Sequence, residues 1–107
     1  MVGGQDEVVF DGNSFIVNNQ GDVSLQLPAF KELSVSHIDT TFTPSLVSNV
    51  SLIYSAIVLA TKDYIQKNTF GGALIGLSGG IDSALTLAIA VDAIGAENVH
   101  AIMMPYQ

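Results

Sequence analysis

Cysteine is absent from this sequence of 107 residues, which removes disulfides, thiolate nucleophiles and cysteine-ligated metal sites together. Arginine is absent as well. The only strongly basic residues are Lys31, Lys62 and Lys67 against ten acids, giving a net charge of −7. Nucleic-acid backbones and anionic membrane surfaces are both held by clustered Lys and Arg, so neither is an expected partner. Charge is scarce overall, at 12% of residues against roughly 25% in an average soluble domain. Long apolar runs are missing too. The stretch from Val50 to Ala60 is broken by Ser51, Tyr54 and Ser55 and falls short of the roughly 20 residues of a membrane span. The opening Met1-Val2-Gly3-Gly4-Gln5 has no basic region or apolar core and does not read as a signal peptide. A soluble, cytoplasmic setting is the resulting expectation.

What is present is apolar. Hydrophobic residues make up 49% of a chain long enough for one small domain or the edges of two larger ones. So apolar a chain is expected to leave surface for a partner or further sequence to cover.

Residues 7–27 read as three short strands. Val8-Val9-Phe10 is followed by Asp11-Gly12, a tight-turn dipeptide, and then by Phe15-Ile16-Val17. Asn18 to Asp22 makes a second turn, and Val23, Leu25 and Leu27 alternate with Ser24 and Gln26 up to Pro28. Residues 31–47 show no period and read as a linker. A helix is predicted over 48–68, capped by Ser48 or Asn49. Its apolar positions Val50, Ile53, Tyr54, Ile57, Val58, Thr61, Tyr64 and Ile65 recur at three- and four-residue spacing, and Asn68 and then Gly71-Gly72 stop it. Ala73 to Leu77 is continuously apolar, as in a strand buried on both faces. A helix from about Ser83 to Ile94, stopped by Gly95, and a strand from Val99 to Met103 complete a βαβ unit.

The chemistry concentrates between Leu77 and Ala84. Gly79 and Gly80 permit positive φ and put no Cβ in the way of a ligand. Backbone N–H groups can then converge on an anion, joined by the free N–H groups and positive dipole end of the next helix. Ser78 and Ser83 offer hydroxyls. The loop lies at the carboxyl end of a strand, where open α/β sheets bind ligands. Asp82 beside a phosphate has two readings. It ligates Mg²⁺ that bridges to phosphate oxygens, or it is a helix N-cap or first-turn acid. No Gly-Lys-Ser/Thr follows, so the loop is not a Walker A motif, and the glycine spacing is not the dinucleotide fingerprint.

Ser78-Gly79-Gly80-Ile81-Asp82-Ser83 after an apolar strand resembles the loop of the ATP pyrophosphatases, which cleave ATP between the α and β phosphates. The runs from Asp63 to Phe70, Leu74 to Thr86, Ala88 to Gly95 and Val99 to Pro105 are similar to NAD synthetase. Val2 to Phe15 resembles the closing strands of the nitrilase-like glutaminase domain that precedes the ATP domain in the glutamine-dependent NAD synthetases. The resemblance implies an α/β fold: the start of a Rossmann-like ATP pyrophosphatase parallel sheet, preceded by β-strands of a nitrilase-like domain. Residues 1–30 would be glutaminase strands, 31–47 a linker and 48–107 the start of the ATP-binding domain.

The implied activity is ATP-dependent amidation of deamido-NAD to NAD with ammonia from glutamine. ATP and Mg²⁺ are the implied cofactors, deamido-NAD, ATP and glutamine or ammonia the small-molecule substrates, and a homo-oligomer the assembly of the full-length protein. ATP would be held by Gly76, Leu77, Ser78, Gly79, Gly80, Ile81, Asp82 and Ser83, with Asp82 as the metal ligand. The family's glutaminase nucleophile is a cysteine. No catalytic residue is therefore expected within this chain, which reads as an excerpt that by itself does not hydrolyse glutamine. The alternatives are another adenylating ligase of the same superfamily or an inactive nucleotide-binding fragment.

Other polar groups carry plainer readings. Ser14, His37 and Asp39 are turn and linker residues rather than a triad. His37 and His100 lack metal-ligand spacing. Asp6 and Glu7 are a loop entering a strand. Tyr54, Tyr64 and Phe70 are expected in the core rather than as a base-stacking platform.

Overall fold

A computed structural model describes residues 1–34 and 47–104. Residues 35–46 of the expected linker fall outside them, and with them His37 and Asp39. The chain opens with two antiparallel ribbons. Strand β1 (Val2–Gln5) pairs with β2 (Val8–Asp11), Gly4 opposite Val9. Strand β3 (Phe15–Val17) pairs with β4 (Val23–Gln26), Ile16 opposite Leu25. The first reversal is at Asp6-Glu7, with Asp6 at φ 54°, and not at Asp11-Gly12 as the dipeptide predicts. Gly12 instead turns the chain out of β2 at φ 74° and forms a single bridge to Ala29. The partner of β2 is the segment just before it, whose Gly3-Gly4 carries no alternating apolar pattern and so gives no strand signal. The second turn is as expected. Asn18 Oδ1 accepts from the amides of Gln20 and Asp22, each at 2.9 Å, the Asx arrangement that favours Asn in turns.

Helix α1 (Asn49–Lys67) starts where Ser48 Oγ accepts from the Ser51 amide at 3.2 Å. It ends as expected at Asn68, its C-cap. The Phe70 amide donates to the Ile65 carbonyl and the Thr69 amide to the Gln66 carbonyl, a Schellman cap in which Thr69 takes the left-handed position at φ 57°. The apolar contact that accompanies such caps is made by Tyr64 and Phe70, ring centroids 5.9 Å apart. Both rings are exposed, so the expectation of core aromatics is corrected. Helical residues end at Lys67 and Asn68 caps them, and Gly71-Gly72 lies in the connection beyond Thr69.

Strands β5 (Ala73–Leu77) and β6 (Val99–Met103) are parallel, from Ala73 opposite Val99 to Leu77 opposite Met103. They are joined through helix α2 (Ile81–Ile94) and a 3₁₀ turn at Ala96–Asn98. Helix α2 begins two residues before the expected Ser83, because Gly80 already serves as N-cap at φ −87°, ψ 159°.

The fold class is the expected α/β arrangement, but β5 is not buried on both faces. Ala73, Ile75 and Leu77 are half-buried, while Leu74 on the other face is 67% exposed. A parallel sheet needs a layer on each face. Among the described residues, α2 is the helix that packs on β5 and β6. The buried apolar side chains among the described residues are Ala90 and Ala93 of α2. Helix α1 packs on α2 and on the β1–β2 ribbon, and its Val50, Ile53, Ile57 and Tyr64 remain exposed. The apolar positions read at three- and four-residue spacing are thus divided, because this helix lies between two neighbours. No helix of the described residues is long and apolar enough to cross a membrane.

Candidate functional site

The strand β5 ends at Leu77, whose carbonyl accepts from the Met104 amide at 2.8 Å and so closes the last rung of the sheet. The chain must then turn from an extended strand into a helix within three residues. Gly79 makes that turn at φ 86°, a conformation that L side chains rarely adopt. Gly80 does not share it, since its φ is negative. A Cβ at Gly79 would meet nothing within 4 Å, so the loop is open on that side. Gly76 is different. A Cβ there would touch the Met104 side chain, which lies across the strand's glycine.

Gly80 makes no side-chain cap for α2. The first amide closed by the helix is that of Ala84, which donates to the Gly80 carbonyl at 3.2 Å. The amides of Ile81, Asp82 and Ser83 therefore belong to the open first turn, where helix geometry leaves N–H groups without an internal acceptor. With the positive end of the helix dipole they form a donor set suited to an anion. Hydrogen bonds from neutral donors to an ionised oxygen are about twice as strong as neutral ones, so such amides can hold an anionic oxygen although the loop has no lysine.

The serines divide the work. Ser83 Oγ donates to the Gly80 carbonyl at 2.9 Å and stands 3.4 Å from Ser78 Oγ, which donates to it. The Ser83 hydroxyl is thus used to brace the loop, and its amide stays in the open first turn. Asp82 lies in the first turn of α2 and is exposed. It is not the N-cap, which removes one of its two plain readings. As a first-turn acid it gains about 0.3–1 kcal/mol from the dipole. Its carboxylate has no hydrogen-bond partner among the described residues. A lone carboxylate fits Mg²⁺ held chiefly by phosphate and water oxygens, since that ion keeps much of its water and takes one or two carboxylates. It does not fit a metal held by protein alone, and no cluster of three acidic or imidazole groups lies among the described residues.

Sequence reasoning missed two polar links. Tyr54 Oη donates to Asp92 Oδ2 at 2.7 Å, which joins α1 to α2. That bond, with some burial and the nearby negative charge, raises the Tyr54 pKa above its ordinary value. The Gly4 amide donates to Asp63 Oδ2 at 2.7 Å, which joins β1 to α1. No sequence signal marks the first; the i,i+4 spacing of Asp63 and Lys67 hints at the second. His100 sits exposed on β6, opposite Leu74 in register, and Asp6-Glu7 forms the ribbon's turn, as the plainer reading of that pair had it. Ser14 Oγ reaches the Gly12 carbonyl at 3.4 Å.

Comparison with known proteins places this geometry. Residues 53–107 match the family model described as NAD synthase. The chain is 53% identical to the glutamine-dependent NAD(+) synthetase of Acinetobacter baylyi over 98% of its own length and 21% of the relative's. It is 46% identical to that of Rhodobacter capsulatus over the same shares, 98% and 21%. Among solved structures, the glutamine-dependent NAD+ synthetase of Acinetobacter baumannii in complex with adenosine diphosphate superposes with a TM-score of 0.90 at 49% identity. That match covers 99% of this chain and 22% of the solved one. The chain thus spans about a fifth of the length of the relatives it matches.

Proposed function

This chain belongs to the NAD synthase family, and from that premise we propose that it forms the ATP-pyrophosphate site of a glutamine-dependent NAD synthetase together with the strands that end its glutaminase part. One observation carries the reading: a left-handed Gly79 between a parallel strand and a helix whose first amides have no cap. Residues 1–30 are then the close of the glutaminase part, 31–47 the crossing and 48–107 the start of the synthetase part. The reaction is cytoplasmic, and the substrates are deamido-NAD, ATP and glutamine or ammonia, with no nucleic acid or membrane involved.

In this reading Ser78, Gly79, Gly80, Ile81, Asp82 and Ser83 hold the β and γ phosphates, with Gly76 and Leu77 forming the strand end beneath the nucleotide. The nicotinate carboxylate of deamido-NAD attacks the α phosphorus, and the bond to the bridging oxygen breaks to release pyrophosphate. Ammonia then displaces AMP from the acyl adenylate, and the amide of NAD forms. The first step is needed because a carboxylate resists amine attack, whereas an acyl adenylate carries a good leaving group. The loop's amides stabilise the charge that builds on the departing pyrophosphate, and the fixed strand and helix hold it in line. Mg²⁺ held by Asp82, when bound, neutralises phosphate charge and orients the oxygens.

The test uses the protein at the full length its gene encodes. Deamido-NAD, Mg–ATP and a nitrogen source should yield NAD, AMP and pyrophosphate in equal amounts. ADP and phosphate as products, or adenylation without NAD, would reject the assignment.

A further inference from the structure

Among the described residues, two hydrogen bonds link residues 1–34 to residues 47–104, and both end on Gly4. The Gly4 amide donates to Asp63 Oδ2 at 2.7 Å, and Lys67 Nζ donates to the Gly4 carbonyl. Lys67 and Asp63, one turn apart on α1, form an ion pair at 3.2 Å that closes the ring. Helix α1 thus reads both backbone groups of one strand residue, as a neighbouring strand would.

The approach is tightest at Gly3. Gly3 lies at φ 119°, and a Cβ there would stand 2.7 Å from Asp63 Oδ2. A Cβ at Gly4 would already touch Ala60 Cα at 3.5 Å. The two arms of the latch are unequal. Asp63 is 17% exposed and Lys67 is 59% exposed, so solvent and salt screen the lysine arm while the aspartate arm is sheltered. From Lys67 the chain runs through the Thr69 cap directly into β5 and the 78–83 loop.

We infer that Asp63 and Lys67 are positioning residues that hold the Gly3-Gly4 strand in register on α1, and so fix the glutaminase part of the protein relative to the nucleotide loop. This rests on the assignment of the two parts made above. Ammonia released in one part must reach an adenylate in the other, and a misplacement of about 1 Å costs about 100-fold in such reactions. Free ammonia from solvent needs no such registration. The latch therefore serves the glutamine-driven reaction and leaves the ammonia-driven one alone.

The experiment compares NAD formation from glutamine and from ammonium chloride in the full-length protein and its variants, with amide hydrogen exchange at Gly4 as a second readout. Asp63→Ala should lower the glutamine-driven kcat/KM at least about tenfold and leave the ammonium-driven value within about twofold. Gly4 exchange should accelerate while amides of α2 keep their protection. Lys67→Met should do the same more weakly, Gly3→Ala should mimic Asp63→Ala, and Asp63→Asn, which keeps an acceptor for the Gly4 amide, should recover part of the glutamine-driven rate. Equal loss with both nitrogen sources, or no loss with either, overturns the inference. If the unmodified protein makes NAD from neither source, the proposed function fails, and Gly4 exchange still judges the latch. Unchanged exchange in Asp63→Ala disproves it, and faster exchange upholds the docking role.

Discussion

Gly72 backs onto the carbonyl oxygen of Asn98, so that a Cβ at Gly72 would run into a backbone atom at the entry of the parallel pair. Gly71 beside it faces open space. Identical neighbours in the sequence are therefore unequal in the structure. Gly72→Ala should destabilise by about 1–3 kcal/mol, since a backbone carbonyl cannot rotate aside. Gly71→Ala should be neutral or stabilising by up to about 1 kcal/mol through the unfolded chain. Urea unfolding of the two variants checks the contrast, and equal midpoints would refute it.

Thr69 holds a left-handed position at the end of α1 that glycine fills at lower cost. Thr69→Gly should stabilise the helix end, by at most about 1 kcal/mol once the extra freedom of glycine in the unfolded chain is counted. Loss of the Thr69 Oγ1 bond to the Asn68 carbonyl works against that gain. Thermal unfolding gives the sign, and a clear loss of stability would show that the hydroxyl bond outweighs the strain.

Gly79 and Asp82 should separate in nucleotide titrations. Gly79→Val forces a β-branched residue to φ 86° in the loop and should weaken Mg–ATP binding at least about tenfold, worth about 1.4 kcal/mol. Asp82→Asn should weaken binding in Mg²⁺ and leave metal-free ATP binding unchanged or improved, because a like charge is removed. Calorimetry with and without Mg²⁺ reads both effects. Unaltered affinity in Gly79→Val would remove the phosphates from this loop.

Tyr54 and Asp92 set an alkaline limit on the packing of α1 against α2. The Tyr54 pKa is raised, first by its hydrogen bond to Asp92. A raised pKa means that the folded state keeps the proton longer than the unfolded chain does. The contribution is fully present below the unfolded tyrosine pKa of about 10 and is lost as pH rises through the folded value. Absorbance titration of the phenolates should show one tyrosine ionising late, and Tyr54→Phe should abolish that step. A Tyr54 that titrates with the others would contradict the bond.

The sequence alone determined the elements that local chemistry decides. Ser48 marks the start of α1, Asn18 supplies the second turn, the apolar runs at 73–77 and 99–103 are the parallel strands, and Ser78 to Ser83 joins strand to helix. Each rests on residues within a few positions of one another, so spacing and residue type are enough. Tertiary structure decided the rest. Strand β1 left no local pattern, only the resemblance of Val2 to Phe15, because its Gly3-Gly4 does not alternate and Gly4 is held by Asp63, which is 59 residues away. The apolar stripe of α1 is divided, and the rings of Tyr64 and Phe70 stay exposed, because burial depends on which neighbours a helix meets. Gly72 owes its role to a carbonyl on the far side of the βαβ unit. Such close approaches are set by where distant segments come to lie, and the residues at the point of contact carry no local record of it.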